Sequence, residues 1–406
     1  MKIMISTDLA PPYVGGGESY VINVASGMAK EGHEVHWLTS RIPNTEAEED
    51  YIGIKIHRTK ILFSKHYKFP GRLTYAFTSI SAAVHLAKKM DVLQFNTFVA
   101  GTTGWLIAKL AGRPSVLFCH EFFGHKWKHL GQNFIERNFY PYVEKFMAHM
   151  PYDAFACPSE YSKQTLLEAG ADERKIHVVP HGIDFTIFNP EAKASGKSEE
   201  LRRKHNLEKH KLFGFTGRLS IKKVGHSKNI LGLLKAAKIV TEKVPDARLV
   251  LGGTGYENIL PTIRELGIED KTIYLGERPH DEVPHFFNVL DVVVCPALAE
   301  GFCFMIGEAL ACGRPSVATA LGAHNERIIH EDTGILTKED PQELADAIIK
   351  ILNDPAIGEK FGRSAAEHSK KLSWENSVKK HLEIYESVIE KKKSKQPEQP
   401  KETKEQ

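Results

Sequence analysis

Five cysteines among 406 residues form no CxxC pair and no zinc-ligand spacing. Cys119, Cys157, Cys295, Cys303 and Cys312 stand singly in apolar or helical contexts, as reduced and mostly buried thiols of a cytosolic protein do. No 18 apolar residues run without interruption. The longest candidates, near 73–87 and 98–111, are broken by Thr, Ser, His, Lys and Gly, so no transmembrane helix is expected. The opening run, MKIMISTDLAPP, is too short for the core of a signal peptide. Charge of one sign is lacking too: 54 Lys and Arg face 51 Asp and Glu, a net +3, which does not point to a nucleic-acid partner. HExxH, DxD and GxxxxGKS/T are all absent, which removes support for zinc-protease, metal-bridged nucleotide and P-loop chemistry. What is present, 42% apolar and 26% charged residues, excludes a disordered or fibrous chain, and the length predicts two or three domains.

Short apolar runs alternate with longer helical patterns almost from end to end. The expected strands are Lys2–Ser6, Val35–Thr39, Val92–Phe95, Val116–Cys119, Ala154–Pro158 and Ile176–Val179. In the second half they are Leu212–Thr216, Arg248–Leu251, Thr272–Leu275, Val292–Cys295 and Ser316–Thr319. Near-continuous apolar strands suit parallel sheets covered on both faces, and alternation with helices predicts an α/β fold of two doubly wound, Rossmann-like units. Residues 189–210, with Pro, Gly, Ser, dense charge and almost no apolar residue, read as the link between domains at 1–190 and 205–370. Trp374, Val378, Leu382, Tyr385 and Ile389 fall on one face of a helix at 371–390, and residues 391–406 read as a disordered tail.

Three constellations carry chemistry. In PALAEGFCFMIGEALACGRPSVAT (296–319), a strand ends, Gly301 follows and a helix begins near Phe304, whose first-turn N–H groups and dipole suit a phosphate. Glu308 lies one turn into that helix, placed to accept from a diol, and Glu300 stands at the strand's carboxyl end, where ligands bind in such sheets. In GFTGRLSIKKVGHSKNILGLLKAAK (214–238), Gly217 and Arg218 follow a strand and open a cation-rich loop suited to a leaving diphosphate. Near the N-terminus, Gly15, Gly16 and Gly17 separate the first strand from its helix, but the spacing is not the dinucleotide fingerprint. His120 and Glu121 close another strand and are expected to face the same crevice.

Together these segments resemble the family 4 retaining glycosyltransferases (glycosyl transferases group 1), whose GT-B fold sets two Rossmann-like domains across a cleft. The resemblance rests on Gly15-Gly16-x-Glu18, GHEVHWLT (32–39), VVPHGIDFTIFNP (178–190), Gly217-Arg218-Leu219, LGGTGYE, YLGERPHDEVPHFF (274–287), Glu300-x7-Glu308 and LGAHNERIIHEDTGIL (321–336). It implies a hexosyltransferase that takes a nucleotide-diphosphate sugar as co-substrate, with no cofactor and no metal. It assigns the donor diphosphate to Arg218 and a nearby lysine, the nucleotide ribose to Glu308 and the donor sugar to Glu300. Backbone amides of Phe302, Cys303, Phe304 and Met305 would line the donor site, with Gly16 and His120 facing it from the first domain.

The chain departs from the family's pattern at four places. Cys303 stands where a third Gly is usual, His181 where Asn is common and Ala297 where Ser is common. The loop after Arg218 is longer than usual, so Lys223 keeps the spacing from Arg218 while Lys228 keeps the spacing to the following helix; Lys228 is the favoured of the two. For the acceptor, residues 51–90 hold eight Lys and Arg and no acid, interleaved with aromatics, and 120–146 is a second, mixed stretch that carries Phe, Trp and Tyr with basic partners. Such segments suit an anionic lipid surface. The partners expected are a nucleotide sugar, a glycan, lipid or small-molecule acceptor and an anionic membrane surface, in the cytoplasm or at the inner face of the membrane. Competing readings are a nucleotide-sugar epimerase or other GT-B enzyme, a non-catalytic sugar-nucleotide-binding subunit, and a nicotinamide dehydrogenase.

Overall fold

Strands that, outside the β3–β4 edge, are mostly buried on both faces form two sheets in the structure, a computed structural model that describes residues 1–13, 15–62, 69–127, 134–191, 196–221 and 226–395. The first sheet contains β1 (Lys2–Ser6), β2 (Glu34–Ser40), β3 (Glu48–Tyr51), β4 (Ile54–Thr59), β5 (Val92–Asn96), β6 (Ser115–Phe118), β7 (Ala154–Cys157) and β8 (Ile176–Val178). Its order is β3-β4-β2-β1-β5-β6-β7-β8, parallel except at the β3–β4 edge. The second contains β9 (Lys211–Thr216), β10 (Ala247–Gly252), β11 (Thr272–Tyr274), β12 (Val292–Cys295), β13 (Ser316–Thr319) and β14 (Gly334–Thr337), in the wholly parallel order β11-β10-β9-β12-β13-β14. Helices cover both sheets, so the fold is α/β with two Rossmann-like units, and the carboxyl ends of β6, β9 and β12 carry the loops of interest.

The helix Trp374–Ser394 returns to the first sheet, against the helix Gly16–Lys30. Gly27 permits the close approach, since a Cβ there would lie 2.6 Å from Val378. A buried polar chain fastens it. Tyr385 donates to Gln94 Oε1 at 2.6 Å, Gln94 Nε2 donates to the Tyr20 hydroxyl at 3.2 Å, and that hydroxyl meets His381 Nε2 at 2.6 Å. Because His381 Nδ1 faces the Ser377 carbonyl at 2.8 Å, Nε2 is the acceptor and every member is satisfied.

Contacts also cross between the two halves. Ser159 Oγ donates to Gly301 O at 2.6 Å, and Arg327 Nη2 donates to Pro158 O at 3.3 Å. The Glu326 carboxylate accepts the N–H groups of Glu160 and Tyr161, at 3.0 and 2.8 Å, in the first turn of the helix Glu160–Glu168. That placement puts an anion on the positive end of a helix dipole.

Several sequence expectations need correction. Strands β3, β4 and β14 were not foreseen: β3 is mostly exposed, β4 alternates buried and less buried positions instead of running apolar, and β14 has only four residues. The stretch read as a linker contains the helix Lys197–Lys204, packed on Val283–Val289. Its Arg202 donates to Val289 O and pairs with Asp291, so it is held by hydrogen bonds that hydropathy does not reveal. The C-terminal helix runs to Ser394, into the stretch read as a disordered tail; its last turn holds Lys391, Lys392 and Lys393, cations that suit the negative end of the dipole. Residues 396–406 lie outside the described residues.

Candidate functional site

Glu300 follows β12, in a loop held from behind by the segment after β13. Ala323 N–H donates to Glu300 O at 3.0 Å, and Gly322, at φ +58°, presses so close that a Cβ would meet that oxygen at 2.6 Å. Lys228 closes a single turn, His226–Lys228, just before the helix Ile230–Lys243. Asn229 caps the helix by accepting Gly232 N–H at 3.2 Å, and Leu298 N–H donates to Ser227 O at 2.7 Å, which ties the two loops together. Their side chains meet as an ion pair, Lys228 Nζ with Glu300 Oε1; the glutamate side chain is 11% exposed and the lysine 37%. Burial pulls the Lys228 ammonium down, but the Glu300 carboxylate outweighs it and holds the pKa above the usual lysine range.

Glu121, at the end of the first domain's β6, joins this pair from across the cleft. A Cβ on Gly301 would lie 2.3 Å from His120 O and 3.2 Å from Glu121 Cβ. Burial, with the nearby Glu300 charge, pushes the Glu121 carboxyl up to about 7, against the opposing pull of Lys228. One ammonium and two carboxylates therefore share a site in which one carboxylate takes up a proton near neutrality.

The helix Phe304–Ala311 begins beside them. Cys303 precedes it in the left-handed region, at φ +64°, a conformation that explains why glycine is usual there. Phe302 is fixed by its side chain, with Arg327 over its ring at 4.2 Å and His181 at 4.8 Å. The helix's first N–H groups are left without intrahelical partners. Glu308, one turn on, is raised to about 8 by burial alone, and its carboxyl makes no hydrogen bond or ion pair among the described residues.

From the first domain, His120 contacts Asn96 Oδ1 through Nε2 at 3.2 Å, and burial lowers it to about 4, so it is neutral at physiological pH. His181 stacks on Phe304 at 5.1 Å and 1°, with Nδ1 unpartnered. Gly15 and Gly16 open the helix Gly16–Lys30. Glu18 accepts Gly15 N–H at 2.9 Å, so its carboxylate caps its own helix, and a Cβ on Gly16 would meet nothing within 4 Å.

Gly217, at φ +145°, backs onto Gly253, whose own Cβ would lie 2.1 Å from Gly217 O. This contact shows that LGGTGYEN buttresses the Arg218 loop as a turn. Arg218 is exposed, with no ion pair or hydrogen bond among the described residues. Lys223 lies outside the described residues. The structure thus joins Lys228, Glu300, Cys303 and His120, while Arg218 makes no hydrogen bond or ion pair with any of them among the described residues. Glu121, expected with His120 to face the crevice, lies in the field of Glu300 and Lys228, whereas Ser159, Glu326 and Arg327 were not foreseen; the last two sit in LGAHNERIIHEDTGIL, but their partners in the first half are more than 160 residues away. Among the described residues one group could hold a metal: Cys295, Cys303 and His324, with ligand atoms all within 4.8 Å. A separate groove, between Pro190, Arg314 and Gly362, contains none of the site residues.

Residues 197–368 match the family profile for glycosyl transferases group 1, and residues 14–186 that for glycosyltransferase family 4. The chain is 25% identical over 393 residues to D-inositol 3-phosphate glycosyltransferase of Corynebacterium glutamicum, covering 92% of each chain. In structure it is similar to sucrose-phosphate synthase from Thermosynechococcus elongatus, with a TM-score of 0.84 at 21% identity, covering 96% of this chain and 99% of that one. It is also similar to Anabaena HepE in complex with UDP and glucose, with a TM-score of 0.75 at 21% identity, covering 97% of this chain and all of that one. At such identities the structural likenesses establish the GT-B fold alone.

Proposed function

Because the chain belongs to the family 4 glycosyltransferases of GT-B fold, we propose that it moves a hexosyl group from a nucleoside-diphosphate sugar to an acceptor hydroxyl, retaining the anomeric configuration without a metal on the diphosphate. The observation that carries this reading is the part-buried Lys228–Glu300 pair, close to Cys303 at the start of the Phe304 helix and to Glu121.

Departure of the diphosphate places negative charge on the phosphate oxygens. Lys228 and Arg218 would stabilise it, and Arg218 is free to do so because nothing described engages it. The N–H groups of Phe304 and Met305 add the helix dipole. Glu300, oriented by Lys228, would accept hydroxyls of the donor sugar, and Glu308 those of the ribose. Neutral His120, anchored on Asn96, would contact the sugar from the first domain. The leaving phosphate itself would take the proton of the acceptor hydroxyl, so no separate base is required.

HepE forms structures with UDP and with UDP-glucose, which makes uridine diphosphate sugars the first donors to test. At saturating donor, Arg218→Ala is expected to lose on the order of 10²–10³ in turnover. Near-normal turnover would overturn the assignment, and interconversion of free nucleotide sugars without transfer would favour an epimerase.

A lipid-borne acceptor is supported by the helix Phe134–Ala148, where Phe139, Tyr142 and Phe146, spaced three and four apart, are 57%, 70% and 48% exposed. Its other face, through Met147 and Ala148, enters the core of the first domain. No helix among the described residues is long and apolar enough to cross a membrane, so docking would be peripheral.

A further inference from the structure

We propose that Cys295, Cys303 and His324 form a binding site for a thiophilic divalent ion of the zinc type, behind the donor-side loop. The three come from different segments: the end of β12, the residue before the Phe304 helix, and the short helix His324–Arg327. All are buried, at 2%, 6% and 0% exposure. Cys295 Sγ lies 3.5 Å from Cys303 Sγ and 3.5 Å from His324 Nε2. A tetrahedral zinc ion with the usual bond lengths separates two sulfurs by about 3.8 Å and a sulfur from a nitrogen by about 3.6 Å, so both separations from Cys295 need change by only a few tenths of an ångström, and all three ligand atoms already lie within 4.8 Å of one another.

Two further features go beyond proximity. His324 Nδ1 faces Thr319 O at 2.8 Å, so Nδ1 carries the proton and the Nε2 lone pair points at the two sulfurs. That second contact is the one metal-ligating histidines make, and it fixes both tautomer and ring orientation. Cys303 also holds φ +64°, a strained conformation for a residue with a side chain, where glycine would cost nothing. The strain places its sulfur inside the cluster. By contrast, the Cys157 thiol lies 3.6 Å from Ser159 O and 3.7 Å from His177 O, within reach of ordinary carbonyl acceptors.

Binding would release two thiol protons to solvent and form two metal–sulfur bonds and one metal–nitrogen bond. Two thiolates and a divalent ion sum to zero charge, which suits a buried position. The fourth coordination position is left for water or a group from the cleft. The ion would cross-link the three segments that enclose Glu300, since Ala323 N–H already holds Glu300 O from the His324 side.

The test uses the reduced full-length protein titrated with Co²⁺. One equivalent is expected to give thiolate-to-cobalt charge-transfer absorption and tetrahedral d–d bands, both removed by Zn²⁺. Cys303→Gly relieves the positive φ and should fold, yet lose the bands. Cys295→Ser provides a second ligand deletion should Cys303→Gly misfold, and Cys312→Ser should keep the signal. Absence of the bands with excess Co²⁺, or their persistence in both ligand variants, would overturn the proposal. So would a Cys295–Cys303 disulfide forming in place of ion uptake. No donor, acceptor or turnover enters the measurement, so its outcome is independent of the glycosyltransferase mechanism.

Discussion

Replacing Glu308 by Gln isolates the consequence of burying a carboxyl that has no partner. Its folded-state pKa is raised from 4.5 to about 8 by desolvation alone. A raised carboxyl pKa favours the folded state fully below about 4.5, and that contribution is lost as pH rises through about 8. The shift is about 3.5 units, which at 1.36 kcal/mol each sets a ceiling of ~5 kcal/mol. Solvent reaches part of the residue, so about half of that, ~2 kcal/mol, is expected. Glutamine has the same shape and no charge, so the variant should match the parent near pH 5 and exceed it at pH 9. For a domain of this size the gain corresponds to a Tm higher by roughly 4–8 °C at pH 9. Differential scanning calorimetry of both proteins from pH 5 to 9, without nucleotide, measures the difference, in which all other titrations cancel. A Tm difference that stays the same across this range, or a variant less stable at pH 9, would refute the reasoning. The same substitution should weaken binding of a nucleotide sugar, because the acceptor for the ribose hydroxyls is then an amide.

Removing Glu326 with an Ala substitution deletes two charge-assisted bonds to the N–H groups of Glu160 and Tyr161, at about 1–3 kcal/mol together. Small-angle scattering should show a larger radius of gyration, and an unchanged profile with unchanged melting would count against this contact as a clasp between the halves. For the aromatic face, the triple substitution of Phe139, Tyr142 and Phe146 to Ser should abolish co-sedimentation with anionic vesicles while leaving Tm within about 2 °C, since exposed side chains contribute little to stability. Equal sedimentation of parent and variant would remove the face as a docking site.

Much of the fold was legible because parallel strands buried on both faces write themselves as apolar runs, as at Ile3–Ile5 or Val292–Val294. The edges were not: β3 is exposed and polar, and the helix at Lys197–Lys204 is fastened by Arg202 hydrogen bonds rather than by an apolar stripe. Glu300 and Glu308 were legible because their spacing around a helix N-terminus is local. By itself the sequence determined the two α/β units, the family and the glutamate pair, all set by periodicity and by motifs within some 25 residues of chain. Only the tertiary structure decided that Lys228 is the cation on Glu300, that Glu121 shares its field, and that Cys295, Cys303 and His324 converge. Each of these depends on loops meeting at the carboxyl ends of strands. Charge, desolvation and ligand geometry act over a few ångströms in space; Lys228, Glu300 and Glu121, 70 to 180 positions apart, reach that distance only once both sheets have formed, and Cys295, Cys303 and His324, 8 to 29 apart, only once β12 and β13 lie side by side.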